Sequence, residues 1–125
     1  IDERDPATWC AVNAIDVDDD GNAHLFKAVD AALYAGHAYR RTKYPLGGTV
    51  DNTAHWIDNN HCGGGLHLCP SPRQAQDHYP SATRFLECVT PVADLRPIDN
   101  TKCKSPRVTV LREVDVHGRP IGETA

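Results

Sequence analysis

Leu66-His67-Leu68-Cys69-Pro70-Ser71-Pro72-Arg73-Gln74 is the stretch whose reading decides the fold. Leu66 and Leu68 alternate with His67 and Cys69, the period of a half-buried strand that sends the leucines into a core and the histidine and cysteine to the opposite face. Pro70 stops it. Ser71 then offers an N-cap hydroxyl, Pro72 a preset φ at the first helical position, and Gln74 the third-position amide of a capping box. These signals predict a short helix through Tyr79, ended by Pro80. Residues 83–89 (Thr-Arg-Phe-Leu-Glu-Cys-Val) are rich in β formers and close at Pro91, which completes a strand–helix–strand unit.

Outward from this unit, residues 107–114 alternate apolar and polar positions and predict a final strand. Upstream, Ile15-Asp16-Val17 and residues 24–29 flank Asp18-Asp19-Asp20-Gly21, the composition of a hairpin turn with glycine at positive φ. The acidic run also copies the first half of an EF-hand calcium loop, but the twelfth position is Lys27, whose cation opposes the ion, so the turn is preferred. Residues 8–12 start a helix or an edge strand, and residues 49–56 and 94–106 read as loops. The expected architecture is a single α+β domain over 1–125, a compact, mainly antiparallel twisted sheet with few short helices. Residues 1–14 and 118–125 are expected at its periphery.

A chain of 125 residues holds one modest core. With 13 basic and 17 acidic residues its formal charge is −4, which argues against general nucleic-acid binding. One local patch, His37, Tyr39, Arg40, Arg41, Lys43 and Tyr44, interleaves aromatics with cations in a way that stacks bases, although such a cluster is more often a solvated face. No apolar run approaches the roughly 20 residues that span a bilayer, so no membrane partner is expected. The chain lacks methionine and opens without a signal-peptide pattern, which reads as an excised domain or a processed chain. Five cysteines cannot all pair within one chain, and this favours free thiols or a metal, together with a cytoplasmic location.

Residues 61–70 gather two cysteines, two histidines and three consecutive glycines. Zinc takes a tetrahedron of thiolates and imidazoles. Cys62 and His67, separated by the glycines, would form one limb of such a site, with Cys88 and Cys103 as the other and Cys69 as a substitute. Lys102 and Lys104 beside Cys103 would lower its pKa, as thiolate ligation requires. The alternative is that these cysteines are small buried residues. A closed four-ligand site would be structural, and an open three-ligand site hydrolytic. The sequence motifs of zinc proteases and deaminases are missing, so the structural reading leads. A thiolate–imidazole nucleophile drawn from Cys62 or Cys69 with His61, His67 or His78 is a further, less specific reading. The glycines lack the Lys-Ser/Thr ending of a P-loop.

Residues 25–29 (Leu-Phe-Lys-Ala-Val), Tyr44-x-x-Gly47, Trp56, residues 62–67 (Cys-Gly-Gly-Gly-Leu-His), Ser71-Pro72, Ala75 and residues 84–88 (Arg-Phe-Leu-Glu-Cys) come in an order that resembles an uncharacterised family of small domains common in actinobacteria and their phages. The resemblance covers about residues 24–117, carries no established activity, and points at Cys62, His67 and Cys88 as recurring positions. More remotely, Gly63-x-Gly65-Leu66-His67-Leu68 with Ser71 and Ala75 is similar to the layout of the ADP-ribosyltransferase superfamily. That likeness implies an NAD-dependent transferase with His67, Arg84 and Glu87 as its catalytic candidates. It departs from the superfamily in having a histidine in place of the motif's tyrosine, and the catalytic glutamate position is left open between Glu87 and Glu113. Two expectations follow: a small zinc-stabilised binding or accessory domain associated with phage, or an ADP-ribosyltransferase-like enzyme.

Overall fold

The computed structural model describes residues 2–36 and 41–122. His37, Tyr39 and Arg40 of the basic-aromatic patch lie outside the described residues. The described chain is mostly antiparallel sheet with two short helices. Its main sheet runs in the order β1 (Asp16–Val17), β2 (Asn22–Val29), β7 (Arg84–Pro91), β10 (Arg107–Val114) and β5 (Thr49–Asp51). A second sheet holds β6 (Leu66–Leu68), β9 (Lys102–Ser105) and β8 (Arg96–Asp99), and a small ribbon pairs β3 (Tyr34–Ala35) with β4 (Thr42–Lys43).

Alternation along the strands builds a core on each face of the main sheet. Leu25, Val29, Leu86, Cys88, Val108 and Val110 point to one side, where they meet Leu66, Leu68 and Cys103 of the second sheet together with Leu95 and Tyr44. Ala28, Phe85 and Val114 point to the other side, against Cys69, Ala75 and Ala82. Each fully buried leucine contributes about 1.5–3 kcal/mol. A bulge between Val110 and Arg112 explains how one strand serves both cores. Without it, Val110 and Val114 would share a face; the extra residue, Leu111, reverses the alternation and sets Arg112 opposite Glu87.

The capping signals read from the sequence hold. Helix α2 (Pro72–His78) begins at Ser71, whose Oγ accepts from Gln74 N at 3.3 Å and donates to Gln74 Oε1 at 3.0 Å. The glutamine therefore meets the serine hydroxyl itself. Helix α1 (Pro6–Val12) is capped by Asp5, whose Oδ2 accepts from Thr8 N at 3.0 Å, with Pro6 in the first turn. Its Trp9 and Cys10 are buried in the main core, and Trp9 Nε1 donates to Asp99 O at 2.8 Å. The N-terminal segment expected at the periphery is thus partly interior.

Two other expectations change. Residues 94–106, read as a loop, form the β8–β9 hairpin, and residues 49–56 contain β5. Pro97 on edge strand β8 and the run Lys102-Cys103-Lys104-Ser105 hide the strand period, because proline interrupts it and the outward lysine is itself buried. Cys69 also differs. It leaves the plane of β6 and exchanges two backbone hydrogen bonds of 2.9 Å with Phe26, stitching the second sheet to β2 and placing Cys69 in the smaller core. The 15–29 hairpin is as read: Gly21 has φ +79°, and Asp18 Oδ1 accepts from Asp20 N and Asn22 N at 2.9 and 3.1 Å.

Candidate functional site

The glycine run ends a fourteen-residue loop, 52–65, that has a 3-10 turn at Thr53–His55 and no strand of its own. A lysine holds it in place. Lys104 on β9 alternates with Cys103, so its side chain leaves the sheet on the face opposite the core, yet the residue is 0% exposed. Its ammonium donates to Asn59 Oδ1 at 2.7 Å and to Gly63 O at 2.8 Å, and it lies 5.3 Å from the centroid of the Trp56 ring. Burial lowers the Lys104 pKa against the opposing charge of Asp58.

Other contacts fix the rest of the loop. Ile57 N donates to Gly64 O at 2.9 Å, Asn60 Nδ2 to Pro97 O at 2.8 Å, and Arg96 Nε to Asp58 Oδ1 at 2.7 Å. The Arg96 hydrogen bond and charge hold the Asp58 carboxyl below the usual carboxylate range. Gly64 has no substitute: at φ +70°, a Cβ there would lie 2.6 Å from Ile57 Cβ and 2.9 Å from its backbone nitrogen. A Cβ on Gly65 would lie 2.8 Å from the Trp56 ring and 3.1 Å from Lys104 Cβ. The loop thus presents His61, Cys62 and the 55%-exposed Ile57 to solvent on a backbone whose shape is set from beneath.

The four residues expected to hold zinc have different surroundings. Cys62 is exposed in the loop, Cys88 and Cys103 are 0% exposed in the main core, and His67 pairs with Lys104 across β6 and β9. Among the described residues no group of three His, Cys, Asp or Glu side chains is placed to hold a metal ion. The expected lowering of the Cys103 pKa is reversed: burial pushes this thiol well above its ordinary value, and Lys104 points away from it. Burial likewise raises Cys88 to about 12 and Cys69 to about 11. His67 is lowered to about 4 by burial and then by Lys27, Lys102 and Lys104, and its Nε2 is buried with no hydrogen-bond partner.

The transferase candidates do not converge either. Arg84 and Glu87 are three positions apart on β7 and so project to opposite faces of the main sheet. Arg84 forms a two-pronged pair with Glu113 at 2.6 and 3.1 Å, while Glu87 Oε2 lies 2.7 Å from His24 Nδ1. Of the basic-aromatic patch, Arg41 and Lys43 lie over the Tyr34 ring at 4.6 and 5.7 Å, and Arg41 also pairs with Asp30 at 2.7 Å. Tyr44 turns inward, 2% exposed, beneath Lys27. Lys27 donates to His67 O at 2.9 Å, and burial lowers its pKa.

Sequence reasoning missed Lys104, Asn59 and Trp56 as a unit. The available signal was the alternation in Lys102-Cys103-Lys104: if Cys103 faces a core, both lysines face outward together, and an aromatic-and-amide loop can close over one of them.

The fold and loop define a small α+β domain, mainly antiparallel, with a side-chain-clipped surface loop. Residues 23–119 match the family model described as "Domain of unknown function (DUF7666)", and the chain belongs to that family. The matched span includes the whole loop and Lys104 and excludes α1 and β1. No curated protein and no solved structure matches the chain. Among the described residues no helix is long and apolar enough to cross a membrane.

Proposed function

We propose that the domain is a non-catalytic binding or accessory module that offers residues 52–65 to a partner as a preformed recognition loop. The observation that carries this reading is Lys104. A fully buried lysine costs desolvation, so its ammonium is kept for the groups it holds rather than for apolar packing. Lys104 is used to hold the Asn59 carboxamide and the Gly63 carbonyl at fixed positions, and long ordered loops of this kind carry function more often than connectivity. The proposal keeps the accessory role and the phage association that the resemblance implies, and it replaces zinc with Lys104 as the source of loop order. What supports this replacement is the dispersal of the expected zinc ligands: Cys88 and Cys103 are buried in the main core and Cys62 is exposed.

The test has three arms. Elemental analysis is expected to find no stoichiometric zinc; zinc together with a fall in melting temperature for Cys62→Ser would restore the metal reading. NAD is expected neither to shift the melting temperature nor to be cleaved; cleavage lost in Glu87→Gln would establish the transferase reading instead. Ligands selected from a displayed peptide library are expected to lose binding to Ile57→Asp, and ligands indifferent to this change and to Lys104→Met would move recognition off the loop.

A further inference from the structure

His24, on β2, is held between two acids. Its Nδ1 lies 2.7 Å from Glu87 Oε2 and its Nε2 lies 3.0 Å from Asp18 Oδ2. A neutral imidazole has one N–H and one lone pair, so it can donate to only one of these carboxylates and must set its lone pair against the other. The imidazolium donates to both. Neither acid is free to turn away. The other oxygen of Asp18 accepts the turn amides of Asp20 and Asn22, and Glu87 Oε1 lies 3.6 Å from Arg112 Nε. The His24 side chain is 17% exposed, enough for proton exchange and too little for water to replace both partners freely.

We infer that His24 is a proton-operated latch: protonated, it ties the turn at residues 18–21 to β7, and on losing its proton it releases Asp18 and loosens the β1–β2 hairpin. The charges facing it come from three elements. Asp16 and Asp18 belong to the β1 side, Glu87 to β7, and Arg112, behind Glu87, to β10. Burial works against the proton, but the hydrogen bonds His24 donates to Glu87 and Asp18 and the charges of Glu87 and Asp16 outweigh it, so the pKa lies above the ordinary 6.5. With a folded pKa raised above the unfolded value, the latch is fully closed below 6.5 and opens as pH rises through the folded pKa. Asp18, its pKa lowered by the Asn22 amide and by His24, keeps its charge throughout that window.

The hairpin also forms one wall of an apolar groove of about 330 Å³, where Ile15, Val17 and Gly21 face Ala11 of α1 and Val92. Opening the latch therefore changes the shape of this groove. Asp18 precedes the span matched by the family model and Glu87 lies within it, so the latch fastens the family's domain to the segment in front of it.

The experiment is an NMR titration of the intact chain from about pH 5 to about pH 9, following the His24 ring and the amides of residues 18–22. The expected result is a His24 pKa above 6.5, with the hairpin amides titrating at the same pH and losing protection above it beyond the base-catalysed rise that every amide shows. Asp18→Asn is expected to lower the His24 pKa, and His24→Gln to leave the hairpin amides without this titration while the β10 amides show that the fold persists. If His24→Gln does not fold, the wild-type and Asp18→Asn titrations decide alone. A His24 pKa at or below 6.5, or hairpin amides that ignore its titration, would overturn the latch.

Discussion

Replacing Lys104 by methionine separates loop order from fold. Methionine keeps the volume and most of the apolar stem but removes the ammonium, and with it the bonds to Asn59 Oδ1 and Gly63 O and the contact with Trp56. Hydrogen bonds to a charged group contribute about 1.5–3 kcal/mol each. Against that stands the desolvation of the ammonium, which methionine does not incur. Asn59 and Gly63 lie near the surface and can recover water. The net loss is expected to be about 1.5–3 kcal/mol, felt by the loop more than by the sheets. Every 1.4 kcal/mol is about a tenfold change in an opening equilibrium, so native-state exchange of the Ile57 amide, bonded to Gly64 O, should quicken about 10- to 100-fold. The β6–β9 ladder amides should change no more than global stability does. Loop exchange that stays at its wild-type rate while the ladder weakens would refute the clip.

Gly64→Ala is expected to disrupt the same loop by steric overlap with Ile57, whereas Gly63→Ala, with φ +89° and open space for a Cβ, should cost only about 1 kcal/mol; thermal melts of the two compare them. A thiol-reactive probe under native conditions should modify Cys62 alone at a rapid rate, since the other four cysteines are buried; a second fast thiol would show that the core is open. His67, whose folded pKa near 4 lies below its ordinary 6.5, makes the fold less stable as pH falls through that interval, because the unfolded chain takes up the proton first. His67→Gln should flatten this part of the denaturation profile, and an unchanged slope would show that the ring is not confined.

The elements with local grammar were legible from sequence: the Ser71 cap, the Leu66/Leu68 alternation and strands β2, β7 and β10 all stand where their residues predict. The β8–β9 hairpin was not, because its outward position, Lys104, is covered by a loop distant in sequence, and a lysine does not announce burial. The bulge at Leu111 was equally silent: Val108, Val110 and Val114 read as one face until a single extra residue divides them. At the site, residue type misled. Cys88 and Cys103 suit zinc chemically, and only tertiary packing shows that they behave as small apolar side chains with protonated thiols. The cross-strand partnership of His24 and Glu87 lies 63 positions apart in the chain and has no sequence pattern to reveal it.

The bulge on β10 has a consequence for how the domain comes apart. Because Val108 and Val110 are anchored in one core and Val114 in the other, β10 cannot detach from either without straining its hold on both. The two hydrophobic clusters are mechanically in series along one strand, so they should melt in a single cooperative transition, and a ligand that tightens one face will slow the opening of the other.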